Sequence, residues 1–214
     1  MFINFKPDPN KPYGGGNIST YYLQEHLKTM YSGFKVVYDF SSNIDIYLII
    51  DPFKDRKHKL YGIADIIHHR NNKNPTGKIV YRVNDCDATR PTIRKDQSRE
   101  HIISQFVTEI DYFIYNSEFI RSMYFKKGPK FTLKPNTIIR NGCDLSMFYP
   151  NKTPNDRSEK IRIVSHHWSN NMHKGYQMYY DLWKYCRSTN LFEFIFNPHT
   201  SFICYNKYYF SSKA

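Results

Sequence analysis

Hydrophobic positions along the chain follow two alternating spacings. Short apolar runs predict strands at residues 2–5, 34–38, 46–50, 79–83, 112–115 and 137–140. Stretches in which apolar residues recur every three to four positions predict helices at residues 19–30, 61–70, 98–110 and 118–125. Strands that alternate with helices in this way form a parallel sheet with helices on both faces, so we predict an α/β fold.

A polar segment containing two prolines divides the chain. Residues 150–159 read PNKTPNDRSE, which predicts a linker at 151–160 after a first domain at 1–150. A second strand–helix–strand pattern follows at 161–196. Residues 197–214 have no regular hydrophobic period, and we predict an irregular tail there.

The charge and the cysteines narrow the class of protein. The net charge is +12 at pH 7, which predicts binding to anions such as nucleotide phosphates, nucleic acid or an anionic membrane surface. The four cysteines form no Cys-x-x-Cys pair, which is typical of reduced thiols inside the cell. No apolar stretch approaches the ~20 residues of a membrane span, and no secretory signal is present. We therefore expect a cytoplasmic protein and leave association with a membrane surface open.

Two loops have the composition of phosphate-binding sites. Gly14, Gly15 and Gly16 follow the first predicted strand, where backbone without Cβ atoms can approach a ligand closely. The run matches neither the dinucleotide fingerprint nor a P-loop, so an ordinary strand-to-helix turn is the alternative. Lys174 ends a polar loop just before a predicted helix, where the helix dipole and the ammonium group both favour an anion.

Polar residues also stand at the carboxyl ends of two predicted strands. Arg82, Asn84 and Asp85 end the fourth of them, and ligands of open α/β sheets bind outside such ends. These three residues are therefore predicted to line a cleft, with an ordinary strand-end cap as the alternative. Asn141 and Gly142 follow the sixth strand and predict a tight turn, whose position just before the linker indicates a hinge or a cleft wall.

The histidines do not indicate a metal site. Several occur as adjacent pairs, whose side chains point in different directions, and no His-Glu-x-x-His spacing is present. We expect no metal and no other cofactor. No Gly-x-Ser-x-Gly elbow or similar nucleophile motif occurs, so the residue pattern assigns no catalytic residue.

Five motifs in order resemble those of the nucleotide-sugar-dependent glycosyltransferases of the GT-B fold, in the retaining family labelled group 1. They are YGGGN at 13–17, RVNDCD at 82–87, NSEFIR at 116–121, IRNGCD at 139–144 and the segment 166–175. The resemblance covers residues 1 to about 195. It implies a complete Rossmann-like acceptor domain, a C-terminal donor domain, and transfer of a sugar in the cleft between them to a glycan, lipid or protein acceptor.

The same resemblance implies roles for individual residues. The donor phosphates are approached by Gly14, Gly15 and Gly16, and Lys174 neutralises the departing diphosphate. The acceptor side and the cleft floor comprise Asn17, Arg82, Asn84, Asp85, Asn141, Gly142 and Asp144. Fixed positive groups aimed at a leaving diphosphate stabilise the transition state, and this chemistry needs no metal ion.

The resemblance stops short of the whole donor domain. The Glu-x₇-Glu helix segment of the family has no counterpart after residue 196. We therefore predict a family member truncated in its donor domain, with an incomplete second βαβ domain, either inactive or completed by a second polypeptide. Two other functions stay open: a non-catalytic module that binds a glycan or a partner, and a basic nucleic-acid-binding protein. The latter is disfavoured because the tyrosines occupy core-like spacings and no RNA-binding signature is present.

Overall fold

A computed structural model divides the chain into two compact units, Met1–Cys143 and Asp144–Ala214. Within these units the structure describes residues 1–8, 15–41, 43–55, 61–89, 98–142, 161–167, 176–189 and 192–198.

The first unit is built on a five-stranded parallel sheet. Its strands, in spatial order, are β1 (Phe2–Ile3), β2 (Ile46–Ile49), β3 (Lys78–Val83), β4 (Tyr112–Tyr115) and β5 (Asn136–Ile138). Each strand after the first is preceded by a helix or a long connection, as parallel pairing requires. The prediction of a parallel α/β fold is confirmed for this unit, and the domain is Rossmann-like.

Helices connect these strands. They are α1 (Gly15–Met30), α2 (Ile63–Lys73), α3 (Arg99–Phe106), α4 (Glu118–Phe125) and the short α5 (Pro129–Thr132). The hydroxyl groups of Ser98 and Ser117 accept hydrogen bonds from the third-residue N–H groups of α3 and α4, which fixes where these two helices begin. No helix in the described part of the chain has the length and apolar character needed to cross a membrane.

The core lies on the face of the sheet that carries Tyr81. In β3, Ile79, Tyr81 and Val83 are buried, whereas Arg82 between them points to the opposite face. Aromatic rings fill much of the interior: Phe113 packs edge-on against Tyr81 at 6.0 Å between ring centroids, and it also stacks beside Tyr115.

A switch in connection direction occurs at β1. The N–H of Ile3 donates to the carbonyl of Val37 at 3.0 Å, whereas the N–H of Asn4 donates to the carbonyl of Leu48, within β2, at 3.2 Å. Because successive N–H groups of a strand point to opposite edges, Val37 and β2 flank β1 on opposite sides. The chain therefore leaves β1 in one direction and returns on the other, which makes the β1–β2 boundary a topological switch point.

Two predicted elements differ clearly from those observed, and one observed helix was not predicted. The strand predicted at 34–38 is wrong, because only Val37 is bridged and the two-residue β1 offers no longer edge for pairing. The helix predicted at 19–30 begins earlier, so that Gly15 and Gly16 lie in its first turn. The helix α5 was not predicted, although Pro129 at its first position is a typical start signal.

The second unit contains a parallel βαβ arrangement. It consists of β6 (Ile161–His167), α6 (Tyr176–Thr189) and β7 (Phe192–Pro198), with Ile161 paired to Phe192 and His167 paired to Pro198. The predicted tail at 197–214 begins inside β7.

Several sequence predictions lie outside the described residues. They are Gly14, Asp144, Lys174, the linker at 151–160 and residues 199–214 of the predicted tail.

Candidate functional site

The guanidinium group of Arg82 brings together three separate parts of the chain. Its Nη1 donates to Asn84 Oδ1 at 2.7 Å and to Ser19 Oγ in α1 at 3.2 Å. Its Nη2 donates to Asn141 Oδ1, just beyond β5, at 2.6 Å. Arg82 is the penultimate residue of β3, so this cluster lies at the carboxyl edge of the sheet, where α/β domains bind ligands.

The cluster continues into the first turn of α1. The hydroxyl of Ser19 accepts from Arg82 and donates to the carbonyl of Gly16 at 3.3 Å. The same carbonyl accepts from Thr20 Oγ1 at 2.7 Å. The glycine run and the end of β3, predicted separately as phosphate-binding and acceptor-side elements, therefore meet through one serine.

The end of β3 is held by the neighbouring strand. The Nδ2 of Asn116, which follows β4, donates to the carbonyl of Asn84 at 2.9 Å, while Asn84 Oδ1 faces Arg82. Asp85 is half-buried, and its Oδ1 accepts from the N–H of Cys86 at 2.9 Å. Asn84 is thus a direct member of the Arg82 cluster, and the Asp85 carboxylate caps the turn that follows.

Asn17 has a different position from the one expected for a cleft residue. It is buried, its Oδ1 accepts from the N–H of Asp8 at 2.8 Å, and its Nδ2 donates to the carbonyl of Asp8 at 2.6 Å. This paired contact holds the segment after β1 against α1. The amide of Asn17 therefore binds the backbone of the segment that precedes the glycine run.

Two glycines of the candidate site face open space. Among the described residues, a Cβ atom added at Gly16 or at Gly142 would meet no atom within 4 Å. Neither glycine has a positive φ, so backbone strain does not require glycine at these two positions. Internal packing of the described residues therefore does not explain either glycine, and both leave room for a ligand beside the Arg82 cluster.

The switch point itself is filled by protein. Asn4, which is 2% exposed, donates from Nδ2 to the carbonyls of Asp51 at 2.5 Å and Tyr61 at 3.0 Å, and its Oδ1 accepts from the N–H of Ile50 at 2.8 Å. Beside it, Arg99 Nη2 pairs with Asp51 Oδ2 at 2.9 Å. The crevice between the ends of β1 and β2 is thus occupied by the Asn4 side chain, which bonds to backbone groups, and by the Arg99–Asp51 ion pair.

The pKa values of Arg82 and Arg99 are shifted in opposite directions. Burial lowers the pKa of Arg82 below its usual value, and its three partners are neutral oxygens. Burial also acts to lower the pKa of Arg99, but the carboxylate of Asp51 helps to raise it above the usual value. Both groups are charged at neutral pH, and only Arg99 has its charge balanced by a carboxylate among the described residues.

The arrangement suits a polar or anionic ligand. In the part of the chain that the structure describes, His, Cys, Asp and Glu residues form no group of three or more that could hold a metal. The chemistry available at the cluster consists of guanidinium N–H donors, amide groups and a hydroxyl. Such groups orient a substrate and balance negative charge.

Three of the predicted site residues are in direct contact with one another, and only some of the others lie beside them. Arg82, Asn84 and Asn141 are in direct contact, while Asp85, Gly16 and Gly142 lie next to that contact set in sequence or through Ser19. Sequence reasoning missed Asn4, Asp51 and Arg99. Two features of the sequence could have pointed to Asn4 and Asp51: a polar residue inside the first apolar run, and an aspartate directly after the strand predicted at 46–50.

A comparison with protein-family models finds no matching family, and a comparison with curated protein sequences finds no match.

Proposed function

We propose that the chain is glycosyltransferase-like, and that its first unit is the acceptor-type half of a GT-B enzyme that transfers a sugar from a nucleotide sugar. The observation that carries this proposal is the contact of Arg82 with Ser19, Asn84 and Asn141. Arg82, Asn84 and Asn141 belong to two of the five motifs on which the family resemblance rests, and Ser19 lies two residues after a third. Their convergence at the carboxyl edge of a Rossmann-like sheet is the arrangement expected of an acceptor site.

The open space at Gly16 supports a ligand close to the backbone. Gly16 is in the first turn of α1, where N–H groups have no intrahelical partner and favour an anion such as a diphosphate. A side chain at this position would occupy the space that the proposal assigns to the donor phosphates. On the basis of the family resemblance, Lys174 is proposed to bind a donor diphosphate through its positive charge.

The experiment is a calorimetric titration of the full chain with nucleoside diphosphates. The Gly16→Ala variant should bind more weakly although alanine stabilises the helix by about 0.4–1 kcal/mol relative to glycine. Weaker binding together with a raised free energy of unfolding separates contact with the ligand from damage to the fold.

Lys174→Ala should weaken nucleoside diphosphate binding by roughly 10- to 150-fold, because a hydrogen bond to a charged group contributes about 1.5–3 kcal/mol. Lys184→Ala is the matched control. Lys184 lies in α6 with its Nζ 4.2 Å from the ring centroid of Tyr180, and the change should leave affinity unaltered. Equal affinities for wild type and all three variants would contradict the proposed donor site.

A non-catalytic binding module is the other outcome that this experiment can reveal. Binding of a glycan or partner without detectable binding of any nucleoside diphosphate would favour that function over sugar transfer.

A further inference from the structure

Arg82 is unusual among the arginines of the described sheet unit because its partners carry no negative charge. Two other arginines with little exposed side-chain surface pair with carboxylates: Arg70 with Glu109 at 2.7 Å, and Arg99 with Asp51 at 2.9 Å. Arg82 is half-buried and bonds to a hydroxyl and two amide oxygens. A desolvated cation without a counter-charge is costly, and a bound anion would remove that cost.

The guanidinium group also has donors to offer. Arginine carries five N–H donors, and the described contacts of Arg82 use two on Nη1 and one on Nη2. The Nε–H and the second Nη2–H have no partner among the described residues. Two donors on one planar group match the bidentate geometry with which arginine binds phosphate oxygens.

The first turn of α1 adds to the positive potential at the same place. This 16-residue helix has no acidic residue in its first turn, and Ser19, one turn in, accepts the hydrogen bond from Arg82. The partial positive charge of the helix N-terminus therefore acts in the same direction as the guanidinium charge.

We propose that Arg82 binds a phosphate group carried by the acceptor, so that the acceptor is an anionic molecule and not a neutral glycan. This inference rests on the proposed function, because it assigns the phosphate to the acceptor of the sugar transfer. Binding of the phosphate itself can be measured without any transfer. The phosphate takes the place of the missing carboxylate, and Asn84 and Asn141 hold the guanidinium plane in position.

Two sources of phosphate share this chemistry, a soluble sugar phosphate and a phospholipid headgroup. Exposed apolar side chains belong to both segments that contact Arg82: Ile18 precedes Ser19, and Ile139 lies two residues before Asn141. These two exposed isoleucines could pack against a lipid acyl chain, and they are also compatible with a site that is open to water. The test therefore has one arm for each source.

The decisive variant is Asn141→Asp. Asn141 is exposed and its Oδ1 lies 2.6 Å from Nη2 of Arg82, so an aspartate would supply an internal carboxylate without changing shape or touching the arginine. Phosphate affinity should fall by roughly 10- to 150-fold, the range expected when a charge-assisted contact is lost. Arg82→Gln should cause a loss of the same order.

The matched control is Asn71→Asp, which makes the same change in net charge at an exposed position of α2. Each full-length protein is titrated with a hexose 1-phosphate and with the neutral hexose, and each is sedimented with vesicles of phosphatidic acid or of phosphatidylcholine. Asn71→Asp should bind like wild type. Loss confined to the sugar phosphate identifies a soluble acceptor, and loss confined to the phosphatidic acid vesicles identifies a lipid.

The proposal is overturned if Asn141→Asp and Arg82→Gln bind both phosphate probes as tightly as wild type, or if the neutral hexose binds as tightly as its phosphate. Failure of the proposed sugar transfer looks different. In that case nucleoside diphosphates do not bind, or bind independently of Gly16 and Lys174, while the hexose phosphate or the anionic vesicles still bind in a manner that depends on Arg82.

Discussion

The carboxyl edge of the first sheet has two regions with opposite character. At the β1–β2 end, Asn4 bonds to backbone groups and Arg99 pairs with Asp51, and together they close the topological switch point. At the β3–β5 end, Arg82 is held by neutral groups, Asn141 among them, and it keeps donors and space available among the described residues. The closed region uses its polar side chains to stabilise the fold, and we propose that the open region uses them to bind a ligand.

This difference moves the candidate site away from the place that topology alone would choose. Open α/β sheets usually bind ligands at the switch point, because the connections diverge there and leave a crevice. In this protein Asn4 fills that crevice with four hydrogen bonds that involve its backbone and side chain. The candidate site at the carboxyl edge of the sheet is therefore centred on the end of β3.

The largest effect is expected at Asn4. Asn4→Ala leaves the carbonyls of Asp51 and Tyr61 and the N–H of Ile50 without their buried partner, and each such group costs about 1–3 kcal/mol. We expect the free energy of unfolding to fall by about 3–5 kcal/mol in chemical denaturation.

Asn72→Ala is the control for that change. Asn72 is exposed on α2, and its Nδ2 bonds to the carbonyl of His68. Its replacement should alter the free energy of unfolding by less than about 0.5 kcal/mol. Similar values for the two variants would show that the switch point is not closed by Asn4.

A smaller effect is expected at Arg99. Arg99→Met leaves the carboxylate of Asp51 without its cation, and Asp51 is one-third exposed, so water compensates part of the loss. The free energy of unfolding should fall by about 1–3 kcal/mol, less than for a fully buried pair. Arg121→Met, which breaks the exposed pair with Glu118, should cost about 0.5 kcal/mol. An equal cost for both variants would place Arg99 among ordinary surface charges.

The sequence predicted much of the open region and little of the closed one. Arg82, Asn84 and Asn141 were predicted from their positions at strand ends, since the carboxyl ends of parallel strands share one edge. That Arg82 and Asn141 would touch required the order of β3, β4 and β5, which hydrophobic spacing does not specify. Asn4 falls inside a predicted apolar strand, because a buried amide whose partners lie 46 to 57 residues away in sequence has no periodic signature.

The boundaries of the elements were predicted less well for a related reason. Gly15 and Gly16 look like loop residues by composition, yet they form the first turn of α1. The contact of Asn17 with Asp8 helps to hold that turn in place, and it joins residues nine positions apart. Local propensity does not include such a contact, so the helix start was placed too late.

The smallest effect is expected at Arg82, and it makes the comparison sharpest. Arg82→Met removes three hydrogen bonds to neutral groups, and it also removes a desolvated charge that no described carboxylate balances. These two changes oppose each other, so the free energy of unfolding should change by no more than about 1 kcal/mol in either direction. The free energies of unfolding of Arg82→Met and Arg99→Met are measured by chemical denaturation under the same conditions, so that the two changes can be compared directly. A loss at Arg82 as large as that at Arg99 would mean that Arg82 holds the fold together, and the division of the edge into a closed and an open region would fail.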